Sequence, residues 1–155
     1  MNDINYNLKR HVELLKQKKK VLSEKKSFFK ENRAEALELS KYNVAVENSL
    51  FWEDRFKVAS VMEAFLNKKM NAHEFHDSVF GLRRKHLAKC NTFLSKLVSE
   101  EIKDFSPSKD AYRLKGFLSA LYSECEHFET NFDEDELYTS IQNGFLKFQK
   151  YCNED

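Results

Sequence analysis

Residues 8–29 read LKRHVELLKQKKKVLSEKKSFF, with Leu8, Leu15, Leu22 and Phe29 seven apart in one of the most basic stretches of the chain. Leu37, Val44, Phe51, Val58 and Phe65 continue at the same period almost directly afterwards. Apolar residues that recur every two helical turns keep to one narrow face, so both rows predict long helices with a coiled-coil-like seam that needs a partner. The first helix is expected from Asn5 to Asn32 with its seam inward and Val12, Lys19 and Lys26 beside it. Lysine stems at two of those three flanks can cover the seam while the ammonium groups reach water. Such a helix packs along one side, as an arm or as one limb of a hairpin.

Between Phe29 and Leu37 the step lengthens to eight, a slip that predicts a turn or kink around Asn32, Arg33 and Ala34. The next helix is expected to reach Lys69, with an interruption near Asn48 and Ser49; unbroken it would be roughly 50 Å long. Folding the first helix back on the first half of the second would cover both seams as an antiparallel hairpin, and a straight rod is the competing arrangement.

Beyond this point the punctuation is local. Asn71 with Glu74 has the spacing of a capping box, and Phe75, Val79, Leu82, Cys90, Phe93, Leu97 and Val98 follow at helical intervals toward an expected end near Asp104. Ser106-Pro107-Ser108 separates this helix from one carrying Leu114, Phe117, Leu118, Leu121, Cys125 and Phe128. Asp133 with Glu136 caps a last helix with Leu137, Ile141, Phe145, Phe148 and Cys152 inward. Residues 50–152 then read as a four-helix unit. The expected fold class is all-α: a basic amphipathic helical arm over 1–33 and a helical bundle domain over 34–155. One proline and three glycines in 155 residues agree with it, and no solenoid-length repeat or Gly/Pro/Ser-rich linker interrupts it.

Charge is abundant, at 33% of residues, but sums to +1. Its distribution is polar. Residues 1–33 hold ten Lys or Arg against Asp3, Glu13, Glu24 and Glu31, a net of +6, which leaves −5 for the remainder. Glu124, Glu126, Glu129, Asp133, Glu134, Asp135 and Glu136 gather most of that acidity around the start of the last helix. Total charge therefore predicts no nucleic-acid or membrane partner, whereas Lys16, Lys18, Lys19, Lys20, Lys25 and Lys26 form a candidate basic surface for phosphates or for an acidic protein. Arg83 and Arg84 add to it, although the run Arg83 to His86 points in different directions around a helix.

Several chemistries are set aside. His73 and His76 are three apart, not the four of the zinc-protease helix; Glu124-x-x-His127 occurs once, where a di-iron bundle needs a companion. No metal and no cofactor is expected. Gly81, Gly116 and Gly144 lie inside helical patterns, so no phosphate-cradling loop is available. Cys90, Cys125 and Cys152 have no C-x-x-C spacing and no evident histidine neighbour; they are expected as core thiols in a reducing compartment. No apolar run approaches bilayer length and the start of the chain has no signal or transit character, so the protein is expected to stay where it is made. Trp52, beside Phe51, is expected to pack in the core or at the hairpin junction, with an exposed partner anchor as the other reading.

The run Leu50-Phe51-Trp52-Glu53-x-Arg55-Phe56, with Phe65-Leu66-Asn67, Glu74-Phe75 and Phe80-Gly81-Leu82-Arg83, resembles uncharacterised open reading frames of algal and plant organelle genomes over residues 47–152. That resemblance implies no activity and suits a plastid stroma or mitochondrial matrix as well as a cytoplasm. A fainter similarity, in the Phe65-Leu66 to Glu74-Phe75 spacing and the acidic start of the last helix, is to small helical immunity proteins of the colicin type. It implies toxin binding through Asp133, Glu134, Asp135 and Glu136. The expected function is a non-enzymatic helical interaction or scaffold subunit of a larger assembly, docking by the Leu8, Leu15, Leu22 and Phe29 seam; an RNA- or ribosome-associated basic arm and an immunity-type inhibitor are the alternatives.

Overall fold

The computed structural model describes residues 5–153. Among them are seven α-helices and no strand: α1 (Leu8–Ser23), α2 (Phe28–Glu31), α3 (Arg33–Glu53), α4 (Arg55–Leu66), α5 (Ala72–Val98), α6 (Tyr112–Asn131) and α7 (Glu134–Asn153).

The first helix is shorter than its heptad row. Asn7 caps α1, its Oδ1 accepting the Arg10 N–H at 3.0 Å. The helix ends at Ser23, nine residues before Asn32; just beyond it Lys25 takes a left-handed φ of 58° and the Lys26 N–H turns back to the Val21 carbonyl at 3.2 Å. The turn brings Phe28 into the core and leaves Phe29 outside. The inward face of α1 is His11, Leu14 and Leu15. Leu15 is thus inward as expected and Leu8 is half-buried, but Leu22 and Phe29 are not inward. The physical reason is that α1 lies against both α3 and α5, and its fully buried residues His11, Leu14 and Leu15 are all in its first half. A face wider than one seam is buried there, and the lysine-rich second half overhangs.

Arg10 meets Glu38 and Tyr6 meets Tyr42, so α1 and α3 run in opposite directions, folded back as a hairpin with α2 at the bend. Along α3 the buried residues are Leu39, Tyr42, Val46, Ser49, Leu50 and Phe51, while Leu37 is exposed and Val44 half-buried. Phe51, Val58 and Phe65 are buried as the second row predicts. The expected interruption at Asn48 and Ser49 falls instead at Asp54, between α3 and α4. Arg55 occupies this break. It donates to the Trp52 carbonyl at 2.9 Å and to the Cys152 carbonyl at 3.2 Å, with its guanidinium between the Trp52 and Phe56 rings. A planar cation with five donors suits a place where helix-end carbonyls and aromatic faces meet. Trp52 accordingly packs at the junction, half-buried against the core.

The capping box at α5 has both of its bonds: Glu74 N–H to Asn71 Oδ1 at 2.9 Å and Asn71 N–H to Glu74 Oε2 at 2.8 Å. Asn71→Ala should lower the unfolding free energy by about 1 kcal/mol, read from a urea titration. The helix stops at Val98, short of Asp104, with Glu100 at φ 60°. The loop that follows is anchored inward: Ile102 and Phe105 pack on the cores, and the Ser108 N–H donates to the buried Ser49 hydroxyl at 2.9 Å.

Burial is organised in series. Phe65, Phe75, Val79, Leu118, Leu121, Cys125, Leu137, Ile141 and Phe148 belong to one core, built where α4, α5, α6 and α7 meet the end of α3. Leu14, Leu15, Phe28, Leu39, Tyr42 and Leu97 form a second among α1, α2, α3 and α5. Val46, Leu50 and Cys90 make a narrow waist between them. α3 and α5 run through both. With 27 residues, α5 is about 40 Å long and sets the distance between the two ends.

Candidate interaction surfaces

The basic end is made by the overhang of α1, by α2 and by the first turn of α3. Lys16, Lys18, Lys19, Lys20, Lys25 and Lys26 are all exposed there. Lys16 reaches Glu100 at 3.1 Å and Lys26 reaches Glu24 at 3.4 Å; among the described residues Lys18, Lys19, Lys20 and Lys25 make no side-chain ion pair. Three large apolar side chains lie among these cations, Leu22 at 52% exposed, Phe29 at 53% and Leu37 at 49%, and the Arg33 guanidinium sits 5.7 Å from the Phe29 ring centre. Singly exposed apolar residues are ordinary. Three on the segments around the α1–α3 bend, which also carry these lysines, make this end amphipathic.

This end is held by a polar clasp. Arg10 donates to both carboxylate oxygens of Glu38, at 2.8 and 3.0 Å, and that hydrogen bonding keeps the Glu38 carboxyl below its ordinary pKa. Behind it His11 is buried, with the Tyr6 hydroxyl 2.9 Å from Nδ1 and Asn43 Oδ1 2.8 Å from Nε2. Burial lowers the His11 pKa, the Asn43 contact opposing. A neutral ring that accepts from Tyr6 and donates to Asn43 satisfies all three groups.

Arg83 and Arg84 are not part of this surface. The Arg83 guanidinium lies 4.6 Å from the Tyr122 ring centre, Arg84 faces solvent, and both are roughly 20 Å along α5 from Leu97, where α5 meets the basic end. His86, in the same run, is buried.

The waist holds what the sequence reading missed. Cys90 does have a histidine neighbour: its Sγ is 3.3 Å from His86 Nε2, one helical turn away, and the His86 ring lies against Phe51. The His-x-x-x-Cys spacing was legible as one face of a helix. Burial pushes the His86 pKa down to about 4, with Asp54 opposing, and pushes the Cys90 thiol up to about 11. The pair is a neutral imidazole beside a neutral thiol, the reverse of what a thiolate nucleophile requires. His86 Nδ1 is buried with no well-formed hydrogen bond among the described residues, and the Glu47 backbone acts on the ring against the downward pKa shift. Cys125 and Cys152 are also buried and free, and burial raises both thiols.

The acidic end lies where the start of α5 meets the α6–α7 corner. The His73 ring is 5.2 Å from Phe128 and 6.0 Å from Phe132, and His76 bonds Asp77 and Glu129. Partial burial pulls the His76 pKa down, but the two carboxylates outweigh it and the net shift is upward. Asp133 Oδ1 accepts the Glu136 N–H at 3.0 Å and so caps α7, while Glu136 takes Asn131 Nδ2 at 2.8 Å. Those two are occupied with local structure. Glu134 and Asp135 are exposed and make no side-chain hydrogen bond or ion pair among the described residues; Phe132 beside them is 63% exposed.

An open surface depression of about 410 Å³ is lined by Tyr6, Lys9, Arg10, Glu13 and Tyr42. Among the described residues no group of three or more His, Cys, Asp or Glu is placed to hold a metal ion, and no helix is long and apolar enough to cross a membrane. Comparison with protein-family models, curated proteins and solved structures returns no match.

Proposed function

We propose that this chain is a non-enzymatic interaction protein, a helical subunit that docks a protein partner on its basic end. The observation that supports this reading is the exposure of Leu22, Phe29 and Leu37 on the same segments as the exposed lysines. Apolar anchors supply affinity when water is excluded around them, and the surrounding charge selects an acidic partner and speeds its approach. Of the expected seam, Leu22 and Phe29 serve the partner, while Leu8 and Leu15 serve the fold. The test is native co-purification followed by identification of a stoichiometric partner. Leu22→Ser with Phe29→Ser should abolish that partner and leave the helical circular dichroism and melting temperature unchanged; retention of the partner by this double variant sinks the reading.

A second reading, an RNA- or ribosome-associated protein, draws on the same lysines, since Lys18, Lys19, Lys20 and Lys25 are free to meet phosphates. Replacing Lys16, Lys18, Lys19 and Lys20 by Gln should then cut the salt dependence of RNA binding by a slope of about 3 and weaken binding across all sequences. Unchanged retention on RNA removes this alternative. An immunity-type inhibitor would use Glu134 and Asp135, because Asp133 and Glu136 are committed to the start of α7.

A further inference from the structure

We propose that the chain also associates head to tail with copies of itself, the basic end of one molecule seating the acidic end of the next. This deepens the docking role assigned to the basic end and rests on it, with a second copy as the occupant.

The argument begins with placement. α5 joins the two ends: Leu97 and the Lys16–Glu100 ion pair lie at its C-terminal end, and His73 and His76, with their contacts to Phe132 and Glu129, at its N-terminal end. A rigid helix of about 40 Å keeps the two surfaces from meeting within one molecule. Their charges are opposite. Residues 16–37 carry eight Lys or Arg against three Glu, and residues 116–146 carry seven Asp or Glu and no Lys or Arg. Apolar groups sit at both: Leu22, Phe29 and Leu37 at one end, Phe132 at the other.

Complementary charge steers and orients encounter, and exposed apolar groups on both faces can exclude water at the contact. Like ends repel, which disfavours head-to-head and tail-to-tail pairs. The contact uses two different patches, so it is heterologous. Each added copy leaves one basic and one acidic end free, and the assembly grows as a filament unless its rotation closes a ring.

Sedimentation velocity on the purified full chain tests this. At low ionic strength the weight-average sedimentation coefficient should rise with concentration, and added salt should weaken the association by roughly tenfold or more. Replacing Lys18, Lys19, Lys20 and Lys25 with Glu takes residues 16–37 from +5 to −3 and gives a chain acidic at both ends; replacing Glu126, Glu134 and Asp135 with Lys takes residues 116–146 from −7 to −1 and all but removes the acidic end. Among the described residues these positions make no side-chain hydrogen bond or ion pair, and circular dichroism verifies that each variant folds. Either variant alone should stay monomeric, and an equimolar mixture should assemble again. Phe132→Ser, which leaves every charge in place, should weaken association of the otherwise unmodified chain. A monomer at every concentration in low salt overturns the proposal, as does self-association unchanged by either swap or a mixture that fails to assemble. Because only purified chain is used, such a failure leaves the co-purification of a different partner as a separate result.

Discussion

Phe75→Ala should lower the unfolding free energy by about 3–5 kcal/mol, the largest single-residue effect expected in this protein. Phe75 has no solvent exposure and stacks on Phe65, with ring centres 4.5 Å apart and planes 22° from parallel. It projects from the first turn of α5 into the core that α4, α6 and α7 share. Truncation removes the transfer free energy of the ring and leaves a hole that helices anchored by other contacts cannot close. Phe148, equally buried and stacked on Phe117 at 4.2 Å, belongs to the same core, where a void lined by Phe51, Val58 and Leu118 measures about 10 Å³. A urea titration gives the difference directly. Leu146→Ala is the internal contrast: at 74% exposed it should change stability by no more than about 0.5 kcal/mol. Equal losses from the two substitutions would mean that the packing described here is wrong.

Acidification from pH 6.5 to about 4 should cost this protein about 3 kcal/mol through His86 alone. The sign follows from the direction of the shift. Burial holds the folded-state pKa of His86 at about 4, below the unfolded value, so the unfolded chain binds a proton that the folded chain refuses. The contribution is complete above pH 6.5 and is lost as the pH falls through that interval. With only 4% of the residue exposed, solvent screens little of it. His11, also lowered by burial, acts in the same direction; His76, raised, acts in the other, its contribution present in acid and lost as the pH rises through its folded-state value. Burial would raise Asp54, but Lys57 and Lys89 hold it below its ordinary value, so its contribution disappears at still lower pH. His86→Leu should flatten the slope of stability between pH 6.5 and 4. It also removes the buried Nδ1 that lacks a well-formed hydrogen bond, so at neutral pH it should cost little. Stability measured by urea at several pH values, side by side for the two chains, decides it. An identical slope in both would show that His86 is not the group that titrates.

The two ends differ in how legible they were. Asn71 with Glu74 and Asp133 with Glu136 are caps whose partners lie three residues apart, so their bonds depend on the local chain and could be read without knowing what surrounds them. The apolar spacing of Phe75, Val79, Leu114, Leu118, Leu121, Leu137, Ile141 and Phe148 identified the residues buried in the C-terminal core. The basic end resisted the same reading. Leu22 and Phe29 keep the seven-residue step yet face solvent, because the chain turns at Lys25 and buries Phe28 instead. His11, which the seven-residue row does not include, is fully buried on α1, since Tyr6 and Asn43 satisfy both ring nitrogens.

From the sequence alone come the all-helical class, the caps of α5 and α7, the buried free thiols and the opposition of a basic front to an acidic back. These depend on composition, on helical periodicity and on bonds between residues three or four apart. Which stripe of α1 is buried, where α3 gives way to α4, that His86 lies between Phe51 and Cys90, and that the two charged surfaces stand at opposite ends of α5 were decided only in three dimensions. Each turns on contacts between helices far apart in the chain, and a period in one helix does not say how many neighbours it will have or on which sides.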